Sequence, residues 1–524
     1  DDVEVAGEKA FNWQTAFLQV FAKGGFDVVI GNPPYVKEYT SKNSFNGLRS
    51  KEVYQGKMDL WYFFGDLALD IVKKETGLIG IIAPNNWITN AGGSNFRDKI
   101  LDKAKIYDFI DFGDYKVFED AGIQTMIYMM SNSDYNDAYE LSYSRLNNKK
   151  SDYDLVAAFL AKINNECTYF KSEINKKKSK GKLLHFINSQ NNEVLKKISR
   201  LQDFKLNKDE VAQGIVAPQD FLNDKNSMIL GEGFKAGQGI FNLTSLEIEE
   251  LDLDTNDLKL IKPFYTSDKL KKYYGVPYND FWVIYTDSFY KKQNSLDSFP
   301  KIKAHLDKFQ EIITSHNKPY GLHRARDERF FTGEKILSLR KCIEPTFTYT
   351  DFDCYVSQTY FSIKTDRLDL RFLTALLNSS LMRFWLKYKG KMQGDIFQVD
   401  KEPLLGMPIK ISNNIDVFSE KSSLMISLNQ ELQELKNKFI RTLDRKFSDC
   451  YINKKLENWH EITYADFIKE LAKKKIKMSL ADEAEWEEYF LAEQTKAKRL
   501  MAEIERTDRE IDQMVYQLYD LTAD

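Results

Sequence analysis

Cysteine, histidine and long apolar runs are all scarce in this chain of 524 residues. Its four cysteines include no CxxC pair, so a disulfide framework is not expected. The five histidines are scattered, which argues against a zinc site, and we expect no bound metal. No run approaches the roughly 18 apolar residues that a membrane-spanning helix requires. The first residues form no signal-peptide pattern, and these absences together predict a cytoplasmic protein without membrane attachment.

A large excess of charge of one sign is also missing, since the formal net charge at pH 7 is −3. The hydrophobic fraction of 43% and the charged fraction of 29% are typical of a globular protein. Charge is nevertheless unevenly distributed along the chain. Between Lys259 and Lys341 there are 17 Lys and Arg residues but only nine Asp and Glu residues, which predicts a local positive surface.

Strands alternate with helices in residues 1–150. The predicted elements are, in order, an apolar strand that begins at 26, a helix over 58–74, a strand over 77–84, a helix over 95–102, and strands over 106–112 and 125–130. This alternation predicts a parallel α/β sheet that forms part of a doubly wound, Rossmann-like domain. Only about 25 residues precede the first strand, so we expect the nucleotide-binding first half of such a domain to be absent from this chain.

The remaining residues divide by composition into three segments. Residues 151–184 are expected to be a basic linker, because Lys171–Lys182 contains six lysines and one acid. Residues 185–410 mix short strands, helices and aromatic-rich loops, which predicts a second, mixed α/β domain. Residues 411–524 carry apolar residues at helical spacing and predict two long amphipathic helices packed antiparallel.

The tetrapeptide Asn32-Pro33-Pro34-Tyr35 carries the most chemistry in the sequence. Two acceptors placed on the two N–H groups of a planar amino group localise its lone pair and favour methyl transfer to the nitrogen. Asn32 offers its side-chain oxygen and Pro33 its backbone carbonyl, which the double proline holds in place. Tyr35 offers an aromatic face for an extruded base. The alternative is a rigid turn; the position at the carboxyl end of a predicted central strand favours the active site.

With this motif the chain resembles amino-group DNA methyltransferases of the N6-adenine type. It resembles more closely the methyltransferase and target-recognition parts of single-chain type IIG restriction–modification enzymes. Asp59–Phe64 is similar to the family's Asp/Asn-Leu-Tyr-x-x-Phe helix start, with Trp61 in place of tyrosine. Gly77–Trp87 is similar to the strand that runs into Pro-x-x-Trp. Val117-Phe118-Glu119 with Thr125–Tyr128 is similar to the family's late aromatic motif.

The resemblance implies specific roles for these residues. Asn32–Tyr35 are the implied catalytic residues, and Tyr35 and Phe118 are the implied stacking partners of a flipped adenine. Asn32 and Phe64 are the implied contacts to the cofactor, S-adenosyl-L-methionine. The implied partner is double-stranded DNA, whereas the oligomeric state is left open.

The later half resembles the family's target-recognition domain and helical end. The segments that carry this likeness are Ile261–Pro263, Phe299–Ile302, Lys335–Ile336, Leu376–Ser380, Leu404–Ile409 and Glu510–Tyr519. Each segment is weak alone, and their order makes the likeness specific. We therefore expect residues 185–410 to hold the DNA specificity domain.

One departure from the family pattern concerns the cofactor. The glycine-rich cofactor motif of the family precedes the catalytic motif, and residues 1–25 do not supply it. Gly231–Gly239 is glycine-rich, but no apolar strand leads into it, so we interpret it as a flexible or DNA-facing loop. We expect the cofactor motif to lie upstream of this chain. No metal-nuclease pattern is present either, so Mg²⁺ would serve only a nuclease domain outside it.

Two basic clusters are candidate DNA contacts. Arg324, Arg326 and Arg329 stand beside aromatic residues, and arginine both clamps phosphate and reads guanine. The alternative is a solvated loop with internal ion pairs, because acidic residues interleave.

The second cluster comprises Lys387, Lys389 and Lys391, in a stretch that contains no acid. A loop that follows the phosphate backbone is one interpretation. The end of a helix with lysines near its carboxyl terminus is the other.

The sequence therefore predicts part of a site-specific adenine-N6 DNA methyltransferase with its specificity domain. One alternative is a DNA-binding specificity module without activity of its own. The other is a methyltransferase that shares the tetrapeptide but acts on RNA or on a glutamine side chain of a protein.

Overall fold

The computed structural model describes residue 7 and residues 11–118, 122–135, 137–393, 395–447, 452–474, 476 and 478–522. Glu119 and Cys450 lie outside the described residues. The chain forms two compact units. The first comprises Asp1–Arg200 with Lys391–Ile396, and the second comprises Leu201–Gly390 with Phe397–Asp524. Among the described residues, no helix combines the length and apolar character needed to cross a membrane.

Eighteen strands are described. They are β1 Val28–Gly31, β2 Leu78–Pro84, β3 Ala104–Asp111, β4 Thr125–Asn132, β5 Ala138–Arg145, β6 Thr168–Asn175, β7 Val211–Gln213, β8 Asn242–Thr244, β9 Ile261–Tyr265, β10 Tyr273–Tyr274, β11 Phe281–Ile284, β12 Lys335–Leu339, β13 Lys341–Cys342, β14 Phe347–Thr350, β15 Tyr355–Val356, β16 Tyr360–Ile363, β17 Lys391–Gln393 and β18 Ile396–Gln398.

The described α-helices are numbered in the same way. They are α1 Trp13–Ala16, α2 Leu18–Phe21, α3 Trp61–Ile71, α4 Ser94–Lys103, α5 Tyr153–Leu160, α6 Lys176–Ser179, α7 Ser189–Arg200, α8 Asp224–Leu230, α9 Ser245–Leu251, α10 Pro300–Asp307, α11 Leu370–Leu377, α12 Ser380–Lys389, α13 Lys401–Leu405, α14 Ile415–Lys446, α15 Lys454–Glu457, α16 Tyr464–Lys473 and α17 Leu480–Leu518.

The first unit is built on a six-stranded sheet in the order β1-β2-β4-β3-β5-β6. Strands β1, β2, β3 and β5 run in one direction, while β4 and β6 run in the other. The predicted α/β class is confirmed, but the sheet is mixed rather than wholly parallel. The described part of the connection from β3 to β4 contains no helix, and a parallel return would need a crossover of that kind.

The segment expected to be a basic linker is instead part of the first unit. Within residues 151–184 lie α5, β6 and α6, and β6 pairs with β5 along its whole length. Three of its lysines face acids: Lys177 pairs with Asp137 at 2.6 Å, and Lys180 and Lys176 pair with Asp102 at 2.6 and 3.6 Å. The lysine run therefore lies at the end of a strand and in a short helix, where nearby acids offset part of its charge.

Among the described residues, the second unit contains a five-stranded and a four-stranded sheet. One has the order β10-β14-β12-β16-β7 and the other the order β15-β9-β11-β8. Buried residues from both sheets, such as Leu337 and Val283, share one hydrophobic core. The predicted mixed α/β character of residues 185–410 is confirmed. Gly231–Gly239 is a loop between α8 and β8, as predicted, and Gly231, Gly233 and Gly237 adopt positive φ angles that favour glycine.

The two long helices predicted near the carboxyl end are present and antiparallel. Helix α14 has 32 residues and α17 has 39. Lys421 of α14 pairs with Glu510 of α17, and Lys446 pairs with Asp482, so the end of one helix meets the start of the other. Phe439 packs in the core between them.

Candidate functional site

The candidate active site lies where three strands of the first unit end. Strands β1, β2 and β3 run in the same direction, so Gly31, Pro84 and Asp111 lie at one edge of the sheet. The residues that follow these strands are Asn32, Asn85 and Phe112. Ligand sites of open α/β sheets form at this edge.

The tetrapeptide leaves β1 in an extended, non-helical path. Asn32 is exposed, Pro33 is buried and Tyr35 is half-buried. The Tyr35 hydroxyl lies 3.0 Å from Asn32 Oδ1 and 3.1 Å from the carbonyl oxygen of Ile82. Burial raises the pKa of Tyr35, so this hydroxyl keeps its proton and donates it. The tyrosine is thus held between Asn32 and strand β2.

The structure brings Tyr35 and Phe118 together. Their ring centroids are 6.3 Å apart and the ring planes are inclined by 59°. Carbon atoms in contact are about 3.5 Å apart, so a base between two parallel rings separates their centroids by roughly 7 Å. A small opening and rotation of this pair would admit one planar base. Asn32 lies beside the Tyr35 ring, whose hydroxyl it contacts.

Phe64 lies on helix α3. Its neighbours Trp61, Tyr62 and Phe63 are buried in the core of the first unit, whereas Phe64 is 44% exposed. An exposed aromatic ring beside three buried ones has a free face for a ligand.

The sequence did not single out Asp111, which is buried at the end of β3. Its Oδ1 accepts hydrogen bonds from Asn85 Nδ2 at 3.0 Å and from the Gly113 amide at 2.9 Å. Its Oδ2 accepts from the Tyr143 hydroxyl at 3.2 Å. Burial, and then the charge of Asp111, raise the pKa of Tyr143 well above its usual value. The signal available was its place at the carboxyl end of a predicted strand.

The second unit contains a basic cleft of about 520 Å³. All three arginines of the first basic cluster line it, together with cations that the sequence did not group with them. Its six cationic residues are Lys208, Arg324, Arg326, Arg329, Arg340 and Lys401, and its three acidic residues are Asp209, Asp400 and Glu402. Cations therefore outnumber acids two to one in what we call the basic cleft.

The cations of the basic cleft differ in how firmly they are held. Arg326 donates to the Gly214 carbonyl at 3.3 Å and to Gln213 Oε1 at 3.1 Å, and burial lowers its pKa. Arg329 donates to the Asp209 carbonyl, and Arg340 pairs with Asp400, both at 2.6 Å.

Two cations of the basic cleft are not held in this way. Lys208 and Arg324 are exposed, and the structure assigns their side chains no hydrogen bond or ion pair with any described residue. These two side chains are therefore available to an anionic ligand.

The second basic cluster is divided by the structure. Lys387 and Lys389 lie in the last turn of α12, where the helix dipole favours cations. Lys391 begins β17 and belongs to the first unit. The helix-end interpretation of Lys387 and Lys389 is correct, and none of the three lysines lines the basic cleft.

The two buried cysteines of the second unit, Cys342 and Cys354, behave as small hydrophobic residues. Burial raises the pKa of Cys342 to about 11 and that of Cys354 to about 12. Both thiols therefore stay protonated and unreactive at neutral pH.

Three family profiles match successive parts of the chain. Residues 1–118 match the Eco57I restriction-modification methylase family, and residues 268–409 match the TaqI-like C-terminal specificity domain. Residues 411–515 match a domain of unknown function. The resemblance to restriction–modification enzymes is therefore confirmed, with a methylase-like part followed by a specificity-like part.

Individual relatives agree with this class. A type II methyltransferase, M.BanIII, from Aneurinibacillus aneurinilyticus is 30% identical over 103 residues, which is 20% of this chain and 18% of the relative. A putative type II restriction enzyme and methyltransferase, RM.MjaORFECS2P, from Methanocaldococcus jannaschii is 23% identical over 445 residues, which is 83% of this chain and 32% of the relative. The chain thus spans less than a third of these relatives.

A solved structure of the type IIL restriction–modification enzyme MmeI in complex with DNA is also similar. It is 12% identical, with a TM-score of 0.48, and the match covers 90% of this chain and 57% of that one.

Proposed function

We propose that this chain is part of an enzyme that methylates adenine N6 in a specific sequence of double-stranded DNA. The observation that carries the proposal is the juxtaposition of Asn32, Tyr35 and Phe118 at the edge where β1 to β3 end. One polar acceptor and two aromatic rings are what an extruded adenine needs for recognition. The match to a methylase family supports the same chemistry.

The residues of this chain act on the amino group of the base. The Asn32 oxygen accepts from one N6–H group and the Pro33 carbonyl accepts from the other, so the lone pair of N6 localises and the nitrogen becomes nucleophilic. Tyr35 and Phe118 stack on the two faces of the ring and hold N6 at these acceptors. Once N6 carries the methyl group, it releases one proton to solvent. No general base is needed before the transfer.

The implied cofactor, S-adenosyl-L-methionine, fits the residues that are present. Phe64 exposes an aromatic face on α3, which suits a flat heteroaromatic ring, and Asn32 exposes a polar amide. When bound, S-adenosyl-L-methionine supplies the methyl group. Phe64 and Asn32 would hold it from this side, and we propose that its glycine-rich motif lies in a region outside this chain.

We further propose that the second unit recognises the DNA, chiefly through the basic cleft. Lys208 and Arg324 would contact phosphates or base edges directly, since no described partner occupies them. Arg326 and Arg329 would shape the cleft, because their guanidinium groups are already tied to backbone carbonyls. Lys387, Lys389 and Lys391 would add weaker phosphate contacts.

The test is to incubate the protein at its natural length with labelled S-adenosyl-L-methionine and duplex DNA, RNA or a protein extract in parallel. Digestion of the labelled DNA to nucleosides then identifies the modified base. N6-methyldeoxyadenosine is the expected product. Label in RNA or in protein glutamine, or in cytosine, would refute the proposal.

An experiment on this chain of 524 residues also tests the alternative that it is a specificity module without activity of its own. A pool of random duplexes is bound to this chain with a salt titration, and the bound fraction is sequenced. Thermal stabilisation by S-adenosyl-L-methionine is measured in parallel, since a ligand of the native state raises its apparent stability. Sequence-selective binding without such stabilisation would identify the chain as the recognition part alone.

A further inference from the structure

The end of strand β2 contacts both sides of the aromatic pair. The Ile82 carbonyl accepts from the Tyr35 hydroxyl at 3.1 Å. Three residues later, Asn85 contacts the segment that carries Phe118 at both of its ends. Its side chain donates to Asp111, and its backbone N–H donates to the Gln124 carbonyl at 3.1 Å. The end of β2 therefore contacts Tyr35 directly and also holds the segment that carries Phe118.

Asp111 sets the first turn of the segment that leads to Phe118. The carboxylate accepts the Gly113 amide at 2.9 Å and closes a tight turn directly after β3. Gly113 has a φ angle of 56°, and a Cβ there would lie 2.7 Å from the Leu146 carbonyl, so only glycine fits. Phe112, Tyr115 and Val117 then pack on a small apolar cluster, which directs the next residue, Phe118, toward Tyr35.

We propose that Asp111, together with Asn85, is a positioning residue that fixes the gap between Phe118 and Tyr35 in which the base is held. This inference rests on the proposed function and extends it. The carboxylate joins the ends of β2, β3 and β5, because its three donors are Asn85, Gly113 and Tyr143. Asp111 itself does not touch the base; it acts through the position of Phe118.

A cationic side chain lies near Asp111. Arg145, at the end of β5, is half-buried, and although burial lowers its pKa, the surrounding acidic groups, of which Asp111 contributes most, together raise it. The Arg145 guanidinium also pairs with Asp395 at 3.5 Å. Asp111→Asn keeps the shape of the side chain but removes the negative charge of the carboxylate and replaces one acceptor oxygen by an amide donor.

The first experiment measures geometry without requiring any activity. Hydrogen exchange of residues 112–118 is followed by mass spectrometry in Asp111→Asn, in Asn85→Ala and in the control Asp108→Asn. Asp108 lies on the same strand and pairs with Lys162 at 2.7 Å, so its substitution is chemically matched, but its described hydrogen bond goes to Lys162 and not to residues 112–118. We expect about tenfold faster exchange of this segment in the first two variants, with β2 and β4 still protected. Unchanged exchange would overturn the proposal.

The second experiment asks whether Asp111 acts through Phe118. In the protein at its natural length, the single-turnover methylation rate is measured for Asp111→Asn, Phe118→Ala and the double variant. We expect about a tenfold loss for Asp111→Asn with unchanged DNA affinity, and no further loss when it is added to Phe118→Ala. If the loss in the double variant equals the product of the two single losses, Asp111 acts independently of Phe118, and the proposal is overturned.

These experiments distinguish failure of the proposed function from failure of the positioning role. If the wild-type protein does not methylate DNA, the proposed function fails, and the exchange data still decide whether Asp111 and Asn85 hold the segment. If methylation occurs and the losses multiply, the proposed function stands and the positioning role fails.

Discussion

The candidate active site and the basic cleft are assembled in opposite ways. In the first unit, four consecutive residues carry most of the proposed chemistry, and the strand before them places them at the edge of the sheet. In the second unit, the basic cleft takes Lys208 from before β7, Arg324 and Arg329 from one loop, and Lys401 from the start of α13. The first site is local in sequence, and the second exists only after folding.

This difference predicts different sensitivities to substitution. In a contiguous motif at the end of a strand, the loss of one group that contacts the reacting atom is enough to abolish catalysis. In a cleft lined by six cations, several side chains contribute to anion binding, so no single one accounts for all of the affinity. Variants of the first site should therefore remove catalysis and spare binding, whereas variants of the cleft should weaken binding in small steps.

The largest expected effect is that of Asn32→Ala. The substitution removes one of the two acceptors for the amino group, and we expect the methylation rate to fall by about 10³-fold. Affinity for DNA should change less than about twofold, because the basic cleft is untouched. Single-turnover rates and fluorescence anisotropy on the same duplex test both statements. Full methylation activity in this variant would refute the role of Asn32.

A second effect concerns the stability of the wall of the basic cleft. Glu210 follows Lys208 and Asp209, and its carboxylate accepts from Arg367, Thr365 and the Asn207 amide. Although burial opposes it, these bonds lower the pKa of Glu210 to about 2, below its usual value of 4.5. The resulting stabilisation is complete above pH 4.5 and is lost as the pH falls toward 2.

We therefore expect Glu210→Gln to lower the free energy of unfolding of the second unit by about 2 kcal/mol at pH 7. The difference from wild type should shrink as the pH falls below about 4.5. Denaturant titrations at several pH values measure both quantities. Glu193→Gln is the control, since Glu193 forms only an exposed pair with Lys196 and should change stability little. A constant difference across the pH range would contradict the assignment.

A smaller effect is expected for Arg324→Ala. This exposed side chain has no described partner, so we expect a loss of DNA affinity of about tenfold, with little change in the thermal midpoint. Arg326→Ala should instead lower stability, because Arg326 holds Gly214 and Gln213. Anisotropy titrations and thermal melts distinguish the two arginines. Equal effects on stability would remove the distinction between available and anchored cations.

The smallest effect is expected for Lys387→Ala. The lysine lies at the exposed end of α12 and would contribute one phosphate contact, so affinity should fall by about twofold at moderate salt. The slope of log affinity against log salt should become shallower by about 0.9. A loss as large as that of Arg324→Ala would show that the lysine cluster, rather than the basic cleft, dominates binding.

The sequence predicted the regular elements between β1 and β4 well, because several have a strong apolar pattern, but it did not predict β5, β6, α5 or α6. Strand β2 and helix α4 lie within one residue of their predicted bounds. The antiparallel direction of β4 was not predicted, since an apolar run looks the same in either direction. The prediction of a basic linker was wrong for a related reason, because composition alone does not show that Lys177 and Lys180 lie beside Asp137 and Asp102.

What the sequence determined by itself was the Asn-Pro-Pro-Tyr motif, the α/β class, the pair of long helices and the likeness to restriction–modification enzymes. These features depend on residues close together in the chain, whose spacing and order can be read directly. Only the tertiary structure decided that Arg324 shares a cleft with Lys208 and Lys401, and that Asp111 joins Asn85 and Tyr143. Such groups depend on strand order and on contacts between distant segments, which folding creates and no local pattern records.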